Sequence, residues 1–175
     1  MPDPSLSAAI QEAYASAPQD VVILHTLEIN HASFTSPIRV VRDHIDHALT
    51  LESTAPHDPS TAVTFSAFNF DFSLPEVNDQ GNPEITISID NVSAEIVGYL
   101  DQAAQTATMI TVIYRPFLST DTSAPSMNPP LTLTIREAHA DIFRVTVKAG
   151  FPNLGSRKFP NETYTSERFP GLIAS

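Results

Sequence analysis

The stretch Pro83-Glu84-Ile85-Thr86-Ile87-Ser88-Ile89-Asp90-Asn91-Val92, continued by Ser93-Ala94-Glu95-Ile96-Val97-Gly98-Tyr99-Leu100, decides how this chain is read. Ile85, Ile87 and Ile89 alternate with Thr86 and Ser88, the period-2 pattern of a strand with one apolar and one polar face. Asn91 and Ser93 then offer side-chain oxygens to the free amides of a helix start. Ile96, Val97 and Leu100 follow at helical spacing. The segment therefore predicts a half-buried antiparallel strand feeding a short capped helix, with the three isoleucines in the core. None of its side chains forms a recognisable reactive constellation, so it reads as scaffold.

Similar alternation recurs on both sides. Val21 to Ile29 is rich in β-branched residues, Pro37 to Arg42 is a second strand, and residues 30–36 between them suit a hairpin loop. Residues 43–62 are polar and read as loop. Val63 to Phe72 alternates again, with Phe68, Phe70 and Phe72 on one face. Thr108 to Leu118 is a long strand. Leu131 to Arg136 and Ile142 to Lys148 form a further pair across a hairpin at residues 137–141, and residues 119–130 are a linker too polar for the core. Ahead of all this, Leu6, Ala9, Ile10, Ala13, Tyr14 and Ala17 form an apolar helical stripe over residues 5–17, with Ser5 as cap and Pro18 as stop.

Fifteen prolines against five glycines punctuate the apolar runs, as expected of many strands joined by stiff or extended connections. The fold expected is mainly β, a β-barrel or sandwich of about seven strands with an N-terminal helix, one short internal helix and an extended C-terminal tail. Its organisation is expected to be a helix at 1–18, a barrel-like domain at 19–149 and an arm at 150–175. Three Phe-Pro steps, at Phe151, Phe159 and Phe169, mark the arm. As docking anchors for a neighbouring subunit they make Phe151, Phe159 and Phe169 candidate interface residues, alongside Leu6, Ile10 and Tyr14 of the helix. The competing reading is an arm, and a helix, packed on their own domain.

Composition excludes several classes of function. The 175 residues carry a net charge of -11, which repels phosphate backbones and anionic lipid and speaks against nucleic-acid or membrane-surface binding. There is no cysteine, hence no disulfide, thiolate zinc site or thiol nucleophile. The opening Met1-Pro2-Asp3-Pro4-Ser5 lacks the basic and apolar regions of a signal peptide, and no apolar run approaches the roughly 20 residues of a membrane span. A soluble chain made in the cytoplasm is expected.

Candidate chemistry is sparse. Asp43-His44-Ile45-Asp46-His47, with His57-Asp58 further on, gives His44, His47 and His57 as weak metal candidates. A polar turn explains the same residues, so no metal and no cofactor is expected. Asp71 with Glu76, or Glu84 with Asp90, would be catalytic carboxylates only if they converged in a cleft, and nothing in their spacing requires that. No nucleophile elbow, His-Glu-x-x-His or phosphate-cradling glycine loop is present. Arg39, Arg42, Arg115, Arg136 and Arg144 lie in or at the ends of strands, placed for salt bridges to an acidic surface or partner. An enzyme is not expected.

Taken in order, the N-terminal helix, the strand at 21–29, the strand Ile38-Arg39-Val40-Val41-Arg42-Asp43, the Phe-rich strand at 65–72, the segment at 83–91 and the closing Arg168-Phe169-Pro170-Gly171-Leu172 span nearly the whole chain. That order resembles a small tail-tip protein family of long-tailed phages and, more remotely, the N-terminal hub part of phage lambda tail tip protein L. The resemblance implies a structural virion protein at the distal end of the tail, a baseplate hub-type β-barrel joining the tail tube to the central fibre or spike. It implies assembly as a ring, with a trimer favoured and a hexamer the alternative, beside the distal tail or tube protein, the central fibre protein and the tape measure. The lambda protein continues past its Phe-Pro-Gly into a Cys-rich segment holding an iron–sulfur cluster. This chain has no cysteine, and the cluster does not carry over. The alternatives are a hexameric distal tail protein or, from another class, a β-barrel enzyme or carbohydrate-binding module. The absence of Trp speaks against a sugar binder.

Overall fold

The computed structural model describes residues 5–16, 21–73, 84–90, 98, 103, 106, 108–141 and 144–151. Among the described residues, helix α1 (Ala8–Ser16) precedes nine strands: β1 (Ile23–Asn30), β2 (Ile38–Val41), β3 (His47–Thr50), β4 (Ala62–Ala67), β5 (Phe70–Ser73), β6 (Glu84–Asp90), β7 (Thr111–Leu118), β8 (Leu131–Ala140) and β9 (Arg144–Gly150). They form a single sheet in the order β3-β4-β2-β1-β7-β8-β9-β6-β5, antiparallel throughout except for a short parallel contact between β2 and β4. The chain is mainly β, as the alternation requires, with two strands more than the patterning suggests.

The sheet is rolled but not closed. β4 and β5 belong to opposite halves of the strand order, yet only Phe68 and Asn69 separate them. The Phe68 amide donates to the Val41 carbonyl at the end of β2, and the Asn69 carbonyl accepts from Asp90 at the end of β6. A strand expected to run unbroken from 63 to 72 thus passes from one end of the sheet to the other. Phe68, Phe70 and Phe72 still share one apolar cluster.

The inner face of the roll is the main core. Ile85, Ile87 and Ile89 are buried there with Leu27, Ile29, Val40, Phe70, Val112, Leu133, Val145 and Val147. Each fully buried isoleucine contributes about 1.5–3 kcal/mol by leaving water. A small void of about 20 Å³ lies among Leu27, Phe72, Ile85, Ile87, Tyr114, Leu131 and Leu133.

β1, β2 and β7 are also covered on their outer face. Leu24, Val41 and Phe117 meet Leu49 of β3, Phe65 of β4, and Leu51 and Ala55 of the following loop in a second cluster. Burial on both faces suits the apolar share of β1, whose Leu24, Leu27 and Ile29 are all buried. Residues 43–62, expected to be loop throughout, contain β3. Its Leu49 is completely buried, and a four-residue strand among Asp, His and Pro leaves too little alternation to be read.

Helix α1 starts at Ala8, about one turn later than its stripe suggests. Ser7, rather than Ser5, sits at the cap: its hydroxyl accepts from the Ile10 amide at 3.4 Å and its carbonyl from the Gln11 amide at 3.1 Å. Residues 5–7 instead bridge residues 126–128, through Leu6 and Met127, Ser7 N to Ser126 O, and Asn128 N to Ser5 O. The linker at 119–130 is therefore partly structural, and Ser126 is buried. The turn expected at 137–141 is shorter than that, because β8 runs on to Ala140 past a bulge between Ile135 and Glu137. At Gly150 a Cβ would lie 2.8 Å from the Arg136 Nε, so the missing side chain leaves the guanidinium room to cross the strand. Of the short helix expected over 93–100 only Gly98 is among the described residues, and it is helical; the arm beyond Phe151, and with it Phe159 and Phe169, lies outside them.

Candidate functional site

The polar chemistry of the fold gathers on the outer face of β1, β2 and β7, beneath the loop at 51–61. Glu28 and Arg115 are completely buried there. Arg115 grips Glu52 through Nε and Nη2, both at 2.8 Å, and its Nη1 lies 3.6 Å from Glu28 Oε1. Arg39 donates from Nε to Glu28 Oε2 at 2.9 Å and from Nη2 to Asp58 Oδ2 at 2.8 Å. The result is an alternating chain, Glu52–Arg115–Glu28–Arg39–Asp58, running from the interior to half-exposed Asp58. Burial alone would lower the Arg39 pKa, but the hydrogen bonds and charges of Glu28 and Asp58 outweigh it and raise it.

The register explains the convergence. Glu28 opposes Arg39 on one side and Ile113 on the other, and Thr26 opposes Arg115, so the ionic side chains share a face. The Thr26 hydroxyl also donates to the Arg115 carbonyl at 2.7 Å. Glu52 and Asp58 reach in from the loop, where Asp58 and Ser60 take left-handed conformations with φ of 51° and 55°. The strand arginines were expected to face an acidic surface or partner. Instead Arg115 and Arg39 pin the chain's own loop.

A cleft of about 380 Å³ opens where β1 turns into β2, lined by Asn30, His31, Phe34, Pro37, His57, Met109 and neighbouring small residues. Its floor is rigid. The Ser33 amide donates to His31 Nδ1 at 3.2 Å, so the ring proton sits on Nε2, which faces the Thr108 hydroxyl at 2.7 Å and the Thr108 carbonyl at 3.2 Å. His57 is held by the Asn30 amide and thereby joins the cleft to the pinned loop. One wall is apolar, with Phe34 against the His31 ring and Met109 largely exposed; the other offers hydroxyls and an amide.

The histidines singled out in the sequence separate. His47 meets Asp43 at 2.6 Å, and that hydrogen bond, with the His44 amide, holds the Asp43 carboxyl below its usual range. His44 is exposed, and His57 belongs to the cleft. Among the described residues no group of three or more His, Cys, Asp or Glu is placed to hold a metal ion. Of the carboxylate candidates, Asp71 pairs with Arg42 at 2.8 Å and Asp90 lies 3.6 Å from Arg144, while Glu76 and the Glu84 side chain lie outside the described residues. Of the helix candidates, Ile10 and Leu6 pack against Leu118, Val21 and Ile23 of their own chain, whereas Tyr14 is largely exposed. Phe151, at the end of the described chain, is exposed.

One pairing had no signal in the sequence. The Tyr114 hydroxyl lies 2.8 Å from His25 Nδ1, with Phe72 edge-on to the imidazole at 5.2 Å. Burial, then the charge of Arg42, lowers the His25 pKa; burial, then Tyr14, raises that of Tyr114. Both shifts favour the uncharged pair, in which the Tyr114 hydroxyl can donate to His25 Nδ1.

A family model described as a domain of unknown function (DUF1833) matches residues 9–164. The chain belongs to this family. No curated protein matches it. The DUF1833 match covers α1 from Ala9 onward, all nine strands, the ionic chain and the cleft. Among the described residues of this DUF1833 chain, no helix is long and apolar enough to cross a membrane.

Proposed function

We propose that this DUF1833 chain is a structural component of a phage tail tip, a hub-type subunit that forms a ring between the tail tube and the central fibre or spike. The observation that carries the reading is the order of elements along the chain, from the N-terminal helix through the Ile85-Thr86-Ile87-Ser88-Ile89 strand to the closing Phe-Pro-Gly, which resembles the tail-tip family. The physics of the fold supports it. A strand order buried on two faces and cross-linked by a buried ionic chain makes a stiff body, suited to transmitting load between neighbours. Its mechanism is architectural: copies contact one another and the distal tail, fibre and tape measure proteins, and the acidic charge keeps DNA from adhering to the channel.

Native mass measurement tests the reading. Three copies of the 19.0 kDa chain are the expected species. Six copies would favour the distal tail protein instead, and a monomer at every concentration, or a single copy per purified particle, would rule the ring out.

A further inference from the structure

We propose that helix α1 is an acid-released latch: protonation of His25 loosens the part of α1 that carries Tyr14 from β1 and β7. The proposal rests on the contacts among these three elements, and stands whether or not the protein belongs to a phage tail.

The register sets the geometry. On one face of β1 and β7, Ile23 opposes Leu118, His25 opposes Pro116, and Leu27 opposes Tyr114. Helix α1 covers the first of these pairs, with Ile10 and Ala13 in one cluster with Leu118 and Ile23. Leu27 and Tyr114, at the third pair, belong to the main core. His25 therefore lies at the boundary between helix and core. A hydrogen-bonded chain crosses that boundary: Tyr14 of α1 bonds Tyr114, whose hydroxyl lies 2.8 Å from His25 Nδ1. Phe72 of β5 stands edge-on to the imidazole at 5.2 Å.

A neutral ring suits this chain and a charged one does not. When neutral, Nδ1 accepts from Tyr114, which leaves the Tyr114 oxygen to accept from Tyr14. When protonated, Nδ1 becomes a donor, both hydrogen bonds must reverse, and a cation stands between Phe72 and Tyr114. The described groups around it do not compensate. Tyr14 and Tyr114 are uncharged phenols, and Arg42, just past β2, repels the cation, an effect only partly offset by Asp71 of β5, which pairs with Arg42 at 2.8 Å. Burial and Arg42 hold His25 below its ordinary 6.5, so a state with α1 lifted and water at the ring binds the proton more tightly. Docking of α1 is complete above 6.5 and weakens as pH falls toward the lower docked value. A helix of 9 residues does not persist alone, so it unwinds once its apolar side leaves Leu118 and Ile23.

Hydrogen exchange of the full-length chain at about pH 7.5 and about pH 5, corrected for the intrinsic pH dependence of amide exchange, reads the latch. An undocked value of 6.5 caps the effect at about thirtyfold at about pH 5. Protection of the α1 amides should fall at least about tenfold, while that of β6 and β7 changes less than about threefold. In His25→Gln, which can still accept from Tyr114 but does not titrate, α1 should keep its protection at both pH values. Tyr14→Phe removes only the hydroxyl and should lower α1 protection already at the higher pH. The His25 ring resonances of the wild type should titrate with the same midpoint as the α1 amides, which tests the linkage even if His25→Gln misfolds. Equal α1 protection at the two pH values, the same loss in His25→Gln, indifference to Tyr14→Phe, or a midpoint apart from that of His25 would each overturn the proposal. So would a parallel loss in β6 and β7, which would make the acid response global unfolding.

Discussion

Replacing Arg115 by Met removes the centre of the ionic chain while keeping most of its apolar volume. The variant loses two charge-assisted hydrogen bonds to Glu52 and leaves Glu28, completely buried, short of one cation. Breaking a buried pair costs about 3–5 kcal/mol when the remaining charge is stranded. Here Arg39 still holds Glu28 Oε2, and Glu52 is close enough to the surface to find water, so the lower figure applies, about 3 kcal/mol. In a chain of this length that corresponds to a fall in Tm of about 6–12 °C. Urea unfolding of the wild type and Arg115→Met gives the difference directly, provided the slope with denaturant is unchanged. The half-exposed Lys148–Glu137 pair is the internal reference, and Lys148→Ala should cost less than about 1 kcal/mol. If Arg115→Met cost no more than Lys148→Ala, the ionic chain would be solvated and the argument for a pinned loop would fail.

Two further outcomes follow from the core and from His25. Ile87→Ala should destabilise by about 2–4 kcal/mol in the same assay, whereas Thr86→Ala on the opposite face should stay within about 0.5 kcal/mol; similar values for both would mean the strand is turned over. Burial and Arg42 hold the His25 pKa below the ordinary 6.5, so the unfolded chain binds this proton more readily than the folded one. Its contribution to stability is complete above 6.5 and is lost as pH falls through the lower folded value. His25→Gln, which can still accept from Tyr114, should therefore flatten the loss of stability between about pH 7 and about pH 5, and unchanged slopes would contradict the assignment.

Much of the fold was legible because its strands face a single core. Ile85, Ile87 and Ile89 alternate with polar residues, and all three are buried. Phe68, Phe70 and Phe72 share one cluster even though the strand that carries them breaks at Phe68-Asn69. β3 escaped notice because only Leu49 and Leu51 stand out in a polar stretch. The ionic chain left a fainter trace. Glu28 and Arg115 sit inside strands rich in apolar residues, and a charge buried in such a strand needs a partner.

What the sequence by itself determined is the alternation, and with it the mainly β class, the inward isoleucines, the proline-marked strand ends and the exclusion of thiol chemistry. These are local properties, written in neighbours two or four positions apart. Only the tertiary structure decided which arginine meets which carboxylate, and that His47 and His57 serve different sites. Such contacts join residues such as Glu52 and Arg115, 63 positions apart, through the strand register. No short-range pattern encodes that register; it follows from the rolling of the whole sheet around its core.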